Sequence, residues 1–109
     1  MPRRHLPRLS PEYYRGDAVV FWTHTMQDRA TGWLDTARHS AFREIVLHAA
    51  IRQDLICPIY TMMPDHVHLI WMGIAPESDQ RAGTSFLRRQ LERHLAPAKW
   101  QHQPHDHVL

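Results

Sequence analysis

Apolar and polar positions along the chain fall into two periodicities, and these divide it into strands and helices. Residues 18–25 are β-branched and aromatic and read as a strand. The polar stretch 27–32 ends in Gly32 and reads as a loop. Asp35 or Thr36 can cap a helix that runs to about Gln53. In that segment Phe42, Ile45, Val46, Ala49 and Ala50 form one apolar stripe, with Arg38, Arg43, Glu44 and Arg52 on the outer faces. Residues 55–62 read as a second strand, and Pro58 places it at a sheet edge. Met63-Pro64-Asp65 is turn chemistry, so residues 66–72 return as the other half of a hairpin. Ser78 or Asp79 caps a second helix that reaches about Leu95. Ala82, Phe86, Leu87, Leu91 and Leu95 form its apolar stripe, Gly83 weakens it and Pro97 ends it. A last strand begins near His105.

The order is strand, helix, strand, strand, helix, strand. That is an α+β, ferredoxin-like split βαβ sandwich, with a four-stranded antiparallel sheet and two helices on one face. In it the first strand lies between the third and the fourth. Residues 1–16, rich in Pro and Arg, read as a basic N-terminal arm to a domain over 17–109.

Composition narrows the picture. A chain of 109 residues with 43% hydrophobic content is one small domain able to bury a core. Its 22% charged residues match ordinary globular proteins and argue against disorder, collagen or coiled coil. No apolar run approaches the roughly 20 residues of a membrane span, and no secretory signal is readable, which points to the cytoplasm. Cys57 is the single cysteine, so an internal disulfide and a cysteine-rich zinc site are both excluded. It reads as a small buried hydrophobe, as Met62, Met63 and Met72 read as core. A net charge of +2 permits a nucleic-acid partner without demanding one. Ten histidines are a surplus, which favours metal or proton chemistry but does not locate it.

Strand alternation locates it. Val67, Leu69 and Trp71 share one face of the strand at 66–72, and His66, His68, Ile70 and Met72 share the other. The purely apolar face should pack on the helices. The two histidines then stand on the open face, about 6–7 Å apart at the backbone, and can converge on one divalent ion. His105 and His107 have the same spacing around Asp106. The expected topology brings His24, His66, His68, His105 and His107 to one sheet edge, with register deciding the face of each. A hydrogen-bonded surface pair is the plainer reading of any His-x-His strand.

The run Met62-Met63-Pro64-Asp65-His66-Val67-His68-Leu69-Ile70 resembles the signature of the single-tyrosine HUH transposases, most of all the REP-associated tyrosine transposases. The element order agrees with that family, and His105-Asp106-His107-Val108-Leu109 is similar to its strand before the catalytic helix. The resemblance implies a metal-dependent endonuclease and strand transferase. It acts on single-stranded or hairpin DNA in transposition, through a tyrosine nucleophile. It implies that His66 and His68 hold Mg²⁺ or Mn²⁺, with Asp65, His24, His105 and His107 as candidate neighbours. It further implies that Arg3, Arg4, Arg8, Tyr13, Tyr14 and Arg15 form a DNA-binding arm, a mixture of cations and stacking aromatics suited to single strands. The family's tyrosine follows the last strand. Tyr13, Tyr14 and Tyr60 do not match it, so the nucleophile is absent and the chain is expected to stop short of the tyrosine helix. Two other readings stay open. One is a catalytically silent single-stranded DNA-binding remnant, and the other is a ferredoxin-like metal or ligand-binding module. On every reading the chain is expected to be a monomer or a homodimer, with no membrane partner.

Overall fold

The computed structural model describes residues 9–109. Two helices, α1 (Thr36–Gln53) and α2 (Gln80–Leu95), cover one face of an antiparallel sheet. Its strands are β1 (Val19–Thr25), β2 (Leu55–Ile56), β3 (Tyr60–Met63), β4 (His66–Gly73) and β5 (His105–Val108). The order is β2-β4-β1-β5, and β3 also pairs with β4. β2 and β3 are two pieces of one edge, so the fold is the four-position sheet expected. The single strand expected over 55–62 is broken at residues 57–59, where Pro58 lacks an N–H for the ladder. Pairing resumes when the Ile70 N–H donates to the Ile59 carbonyl (3.1 Å).

The helix ends follow their caps. The Asp35 side chain accepts from the Arg38 N–H (2.8 Å), and the Asp79 side chain accepts from those of Arg81 and Ala82. α1 buries Phe42, Val46 and Ala49, and α2 buries Leu87, Leu91 and Leu95. Against them stand Val20, Trp22, Val67, Leu69 and Trp71, all essentially sealed from solvent. Ala82 and Phe86 are only half-buried, and Gly83 and Thr84 take the inward positions instead. A Cβ on Gly83 would lie 2.8 Å from Leu55 Cδ1, so glycine lets α2 settle against the β2 edge. Met63, expected in the core, is instead exposed on the open face, and Met62 and Met72 are half-buried.

One buried polar side chain ties the layers together. Gln80, at the start of α2, accepts from Trp22 Nε1 (2.9 Å) and donates to the carbonyls of Ala18 (2.8 Å) and Trp71 (3.1 Å). It thus grips β1 and β4 at once. Close by, Gly73 faces the backbone of Gly16, where a Cβ would lie 1.6 Å from the Gly16 carbonyl oxygen. Gln80→Ala removes three buried hydrogen bonds and should cost about 3 kcal/mol. Gly73→Ala forces backbone apart and should cost at least about 3 kcal/mol. Urea denaturation measures both, and a loss under about 0.5 kcal/mol for either would contradict the packing described.

Candidate functional site

β1 and β4 pair in the register Thr23↔His68, Thr25↔His66 and Phe21↔Ile70. Side chains directly opposite share a face, so Phe21, Thr23 and Thr25 accompany the histidine pair on the open side. β5 adds Thr23↔His105 and Phe21↔His107. His105 and His107 therefore face the same side, two strands from His68, or about 10 Å across the sheet.

His24 goes elsewhere. It is opposite Val67, on the helix-covered face, and fully buried. It stacks on Trp22, packs against Trp100, and its Nδ1 lies 3.2 Å from Arg88. The expectation that His24 neighbours the site is corrected: strand alternation separates it from Thr23 and Thr25.

The two imidazoles are held from behind. His66 Nδ1 is 2.6 Å from Asp65 Oδ1, and His68 Nδ1 is 3.0 Å from Thr23 Oγ1. Their Nε2 atoms point at each other, 3.1 Å apart. Phe21 stacks at a tilt on the His68 ring, with centroids 5.1 Å apart. Asp65 is itself fixed by Arg29, whose Nε donates to Oδ2 (2.6 Å). Arg29 sits in the left-handed region (φ 54°), as does Asp28 (φ 57°), so the segment after β1 adopts a costly backbone where it reaches Asp65.

The spacing is also one that a single ion could bridge. Two ligands at right angles on an ion with bonds of about 2.1 Å stand about 3.0 Å apart. Each ring has its Nδ1 occupied, which leaves Nε2 to bind. Two imidazoles suit a transition ion better than Mg²⁺, which prefers oxygen, so Mn²⁺ is the better match of the two. Among the described residues no third His, Cys, Asp or Glu completes a three-ligand group. Asp65 acts through His66, not beside it.

Thr23 has a further property. With no ion present, the network closes if the Thr23 hydroxyl donates to His68 Nδ1, His68 Nε2–H donates to His66 Nε2, and His66 Nδ1–H donates to Asp65. Binding through His68 Nε2 requires the proton on Nδ1. A hydroxyl both donates and accepts, so Thr23 serves either tautomer.

Protonation follows from the surroundings. Burial, and then the charge of His66, push the His68 imidazole below its ordinary value. Hydrogen bonds from His66 and then Arg29 hold the Asp65 carboxyl below the usual carboxylate range.

The arm is only partly as expected. Arg3, Arg4 and Arg8 lie outside the described residues. Within the arm, residues 11–14 form a 3-10 turn that lies against α2. Tyr13 is exposed and Arg15 is exposed, 3.8 Å from Asp79. Tyr14 is corrected from a stacking residue to a core one: it is fully buried, and its hydroxyl donates to Asp106 (2.7 Å) on the helix face of β5. Tyr60 points to the helix side, its hydroxyl 2.9 Å from His39 Nε2. Sequence reasoning missed Thr23 and Arg29. The alternation Phe21, Thr23, Thr25 could have exposed the first, but nothing local signals the second.

No protein-family model matches the chain, and no curated protein matches it in sequence. Solved structures do match. A REP-associated tyrosine transposase bound to a REP hairpin superposes with a TM-score of 0.78 at 18% identity, over 98% of this chain. The fold is that of a tyrosine transposase. The chain spans 62% of that protein's length. A provisionally named transposase from Deinococcus radiodurans R1 superposes with a TM-score of 0.68 at 14% identity, covering 99% of this chain and 86% of that one. At these identities the shared property is the transposase-type fold.

Two outcomes follow for this site. Thr23→Val should lower Mn²⁺ affinity about 10-fold while Thr23→Ser restores it, read by manganese electron paramagnetic resonance or calorimetry. Equal affinity in Thr23→Val would remove Thr23 from the site. The second concerns pH. An unfolded His68 takes a proton near pH 6.5, and the folded one holds it off. As pH falls below that value the unfolded chain binds more protons, so this group's contribution to stability declines. Nuclear magnetic resonance should place the His68 midpoint below 6.5. A midpoint above it would contradict the burial described.

Proposed function

We propose that the chain is a transposase-type DNA-binding domain that uses His66 and His68 to hold Mn²⁺ or Mg²⁺ against the backbone of single-stranded DNA, beside a hairpin. The observation that carries this reading is the convergence of the two Nε2 atoms at 3.1 Å on the open face, with both Nδ1 atoms tied from behind. The transposase fold supports it, and the matched protein in complex with a REP hairpin supports a DNA partner.

An ion held by the pair supplies Lewis-acid polarisation of a phosphoryl oxygen. The chain's own residues do the remainder. Asp65 and Thr23 aim the rings, Arg29 steadies Asp65, and Phe21 presents a half-buried aromatic surface beside them. An ion held by His66 and His68 alone would have to complete its coordination from water or from DNA oxygens. A tyrosine attack is not furnished by these residues. Tyr14 and Tyr60 are turned to the helix side, and Tyr13 lies on the turn packed against α2.

The test is a gel-shift and crosslink-free denaturing assay on a labelled DNA hairpin with a single-stranded flank. With Mn²⁺ the chain should retard the probe, and His66→Ala/His68→Ala should abolish the metal-dependent part. A denaturation-resistant adduct should not form. Retardation that ignores both metal and the double substitution would defeat the metal reading. No retardation at all would defeat the DNA reading and favour a metal or ligand-binding module.

A further inference from the structure

Part of the molecule's positive charge lies in a place that the histidine site does not use. The whole chain has a net charge of +2, yet α2 carries Arg81, Arg88, Arg89 and Arg93 against the single acid Glu92. Arg81, Ser85, Arg89 and Arg93 follow one another at intervals of four and are all exposed. Residues spaced by four line up as a ridge on a helix. From Arg81 to Arg93 the ridge rises about 18 Å, on the order of five base steps of one DNA strand.

Arg89 and Arg93 are like charges at i,i+4, an arrangement that weakens a helix by a few tenths of a kcal/mol. No ion pair relieves Arg81, Arg89 or Arg93 among the described residues. Beside the ridge is a cavity of about 500 Å³ lined by Arg81, Thr84, Ser85, Arg89, His102 and Pro104 among others. Thr84, which lines it, is buried, and its hydroxyl has no hydrogen-bond partner among the described residues. A second hollow of about 310 Å³ shares Arg81 and Ser85 and extends the surface to Arg15.

We propose that this ridge is a second nucleic-acid contact, a phosphate-backbone track on the helix layer, for the same DNA that the histidine pair engages. The inference rests on the function proposed above. Arginine suits the role because its planar fork meets phosphate oxygens with two N–H groups. The ridge and the histidine pair lie on opposite layers, and the β5 edge lies between them, one strand beyond β1 from the pair. His102 and Pro104 bound the cavity and lead directly into β5, whose His105 and His107 face the open side. A duplex against α2 could thus continue as a flexible single strand round the β5 edge to His66 and His68.

The experiment is fluorescence anisotropy with a labelled DNA hairpin bearing a single-stranded flank, in Mn²⁺, across a range of salt. Arg81→Gln/Arg89→Gln should weaken binding at least about 10-fold and lower the slope of log affinity against log salt by about 2. Arg43→Gln, which removes a charge from α1 on the same layer, should change little. The double variant should keep its circular dichroism and its Mn²⁺ affinity, since both side chains are exposed. Binding equal to wild type in the double variant overturns the track and leaves the histidine reading standing. So does a loss per charge as large in Arg43→Gln, which would make the attraction diffuse. Failure of the unaltered protein to bind the hairpin overturns both readings.

Discussion

The pairing of β1 with β4 in a single register is the constraint on which the rest of the molecule depends. A strand repeats every two residues, so a slip of one position would turn Val67, Leu69 and Trp71 to solvent and drive His66 and His68 into the core. Burial of those three side chains opposes that slip on the helix side. Gln80 opposes it from the start of α2, because its two amide atoms address fixed points on both strands. Gly73 opposes it at the end of β4, where only a residue without a side chain fits against Gly16. The site's geometry is therefore a by-product of core packing a few ångströms away, on the other side of one sheet.

The same register gives chemically identical residues different work. His66 and His68 are half-buried, converge, and are supported by a carboxylate and a hydroxyl. His105 and His107 are exposed on the same face without that support. His24, one position from Thr23 in sequence, is a packed aromatic between two tryptophans. Asp106 lies between two open-face histidines and yet bonds Tyr14 on the opposite layer. Parity of position separates His24 and Asp106 from the open-face histidines, and the partners at Asp65 and Thr23 separate His66 and His68 from His105 and His107.

Much of this was legible in the chain. The two helices follow their caps at Asp35 and Asp79, the turn at Pro64-Asp65 follows its residues, and the face of His66 and His68 follows alternation within one strand. What was not legible depends on contacts between distant segments. The face of His24 required the β1–β4 register, which a strand with aromatic and polar residues on both faces does not declare. Tyr14 reads as a surface aromatic until β5 brings Asp106 to its hydroxyl, 92 residues away. Arg29 reaches Asp65 only because the backbone there takes two left-handed residues in succession that are not glycine. Thr23 shares the case of His24: alternation sets the two on opposite faces, but only the β1–β4 register says which of them meets His68.

The break at Pro58 has a consequence beyond secondary structure. A sheet edge offers unpaired N–H and C=O groups to any passing strand, and Ile56 and Ile59 leave this one flanked by exposed apolar surface. Dividing it into β2 of two residues and β3 of four leaves no long straight template. A continuous strand here would add an edge of about eight residues to an open face that already exposes Met63 and Leu109. The proline that interrupts the ladder thereby protects the molecule against strand-by-strand aggregation while one sheet face stays bare.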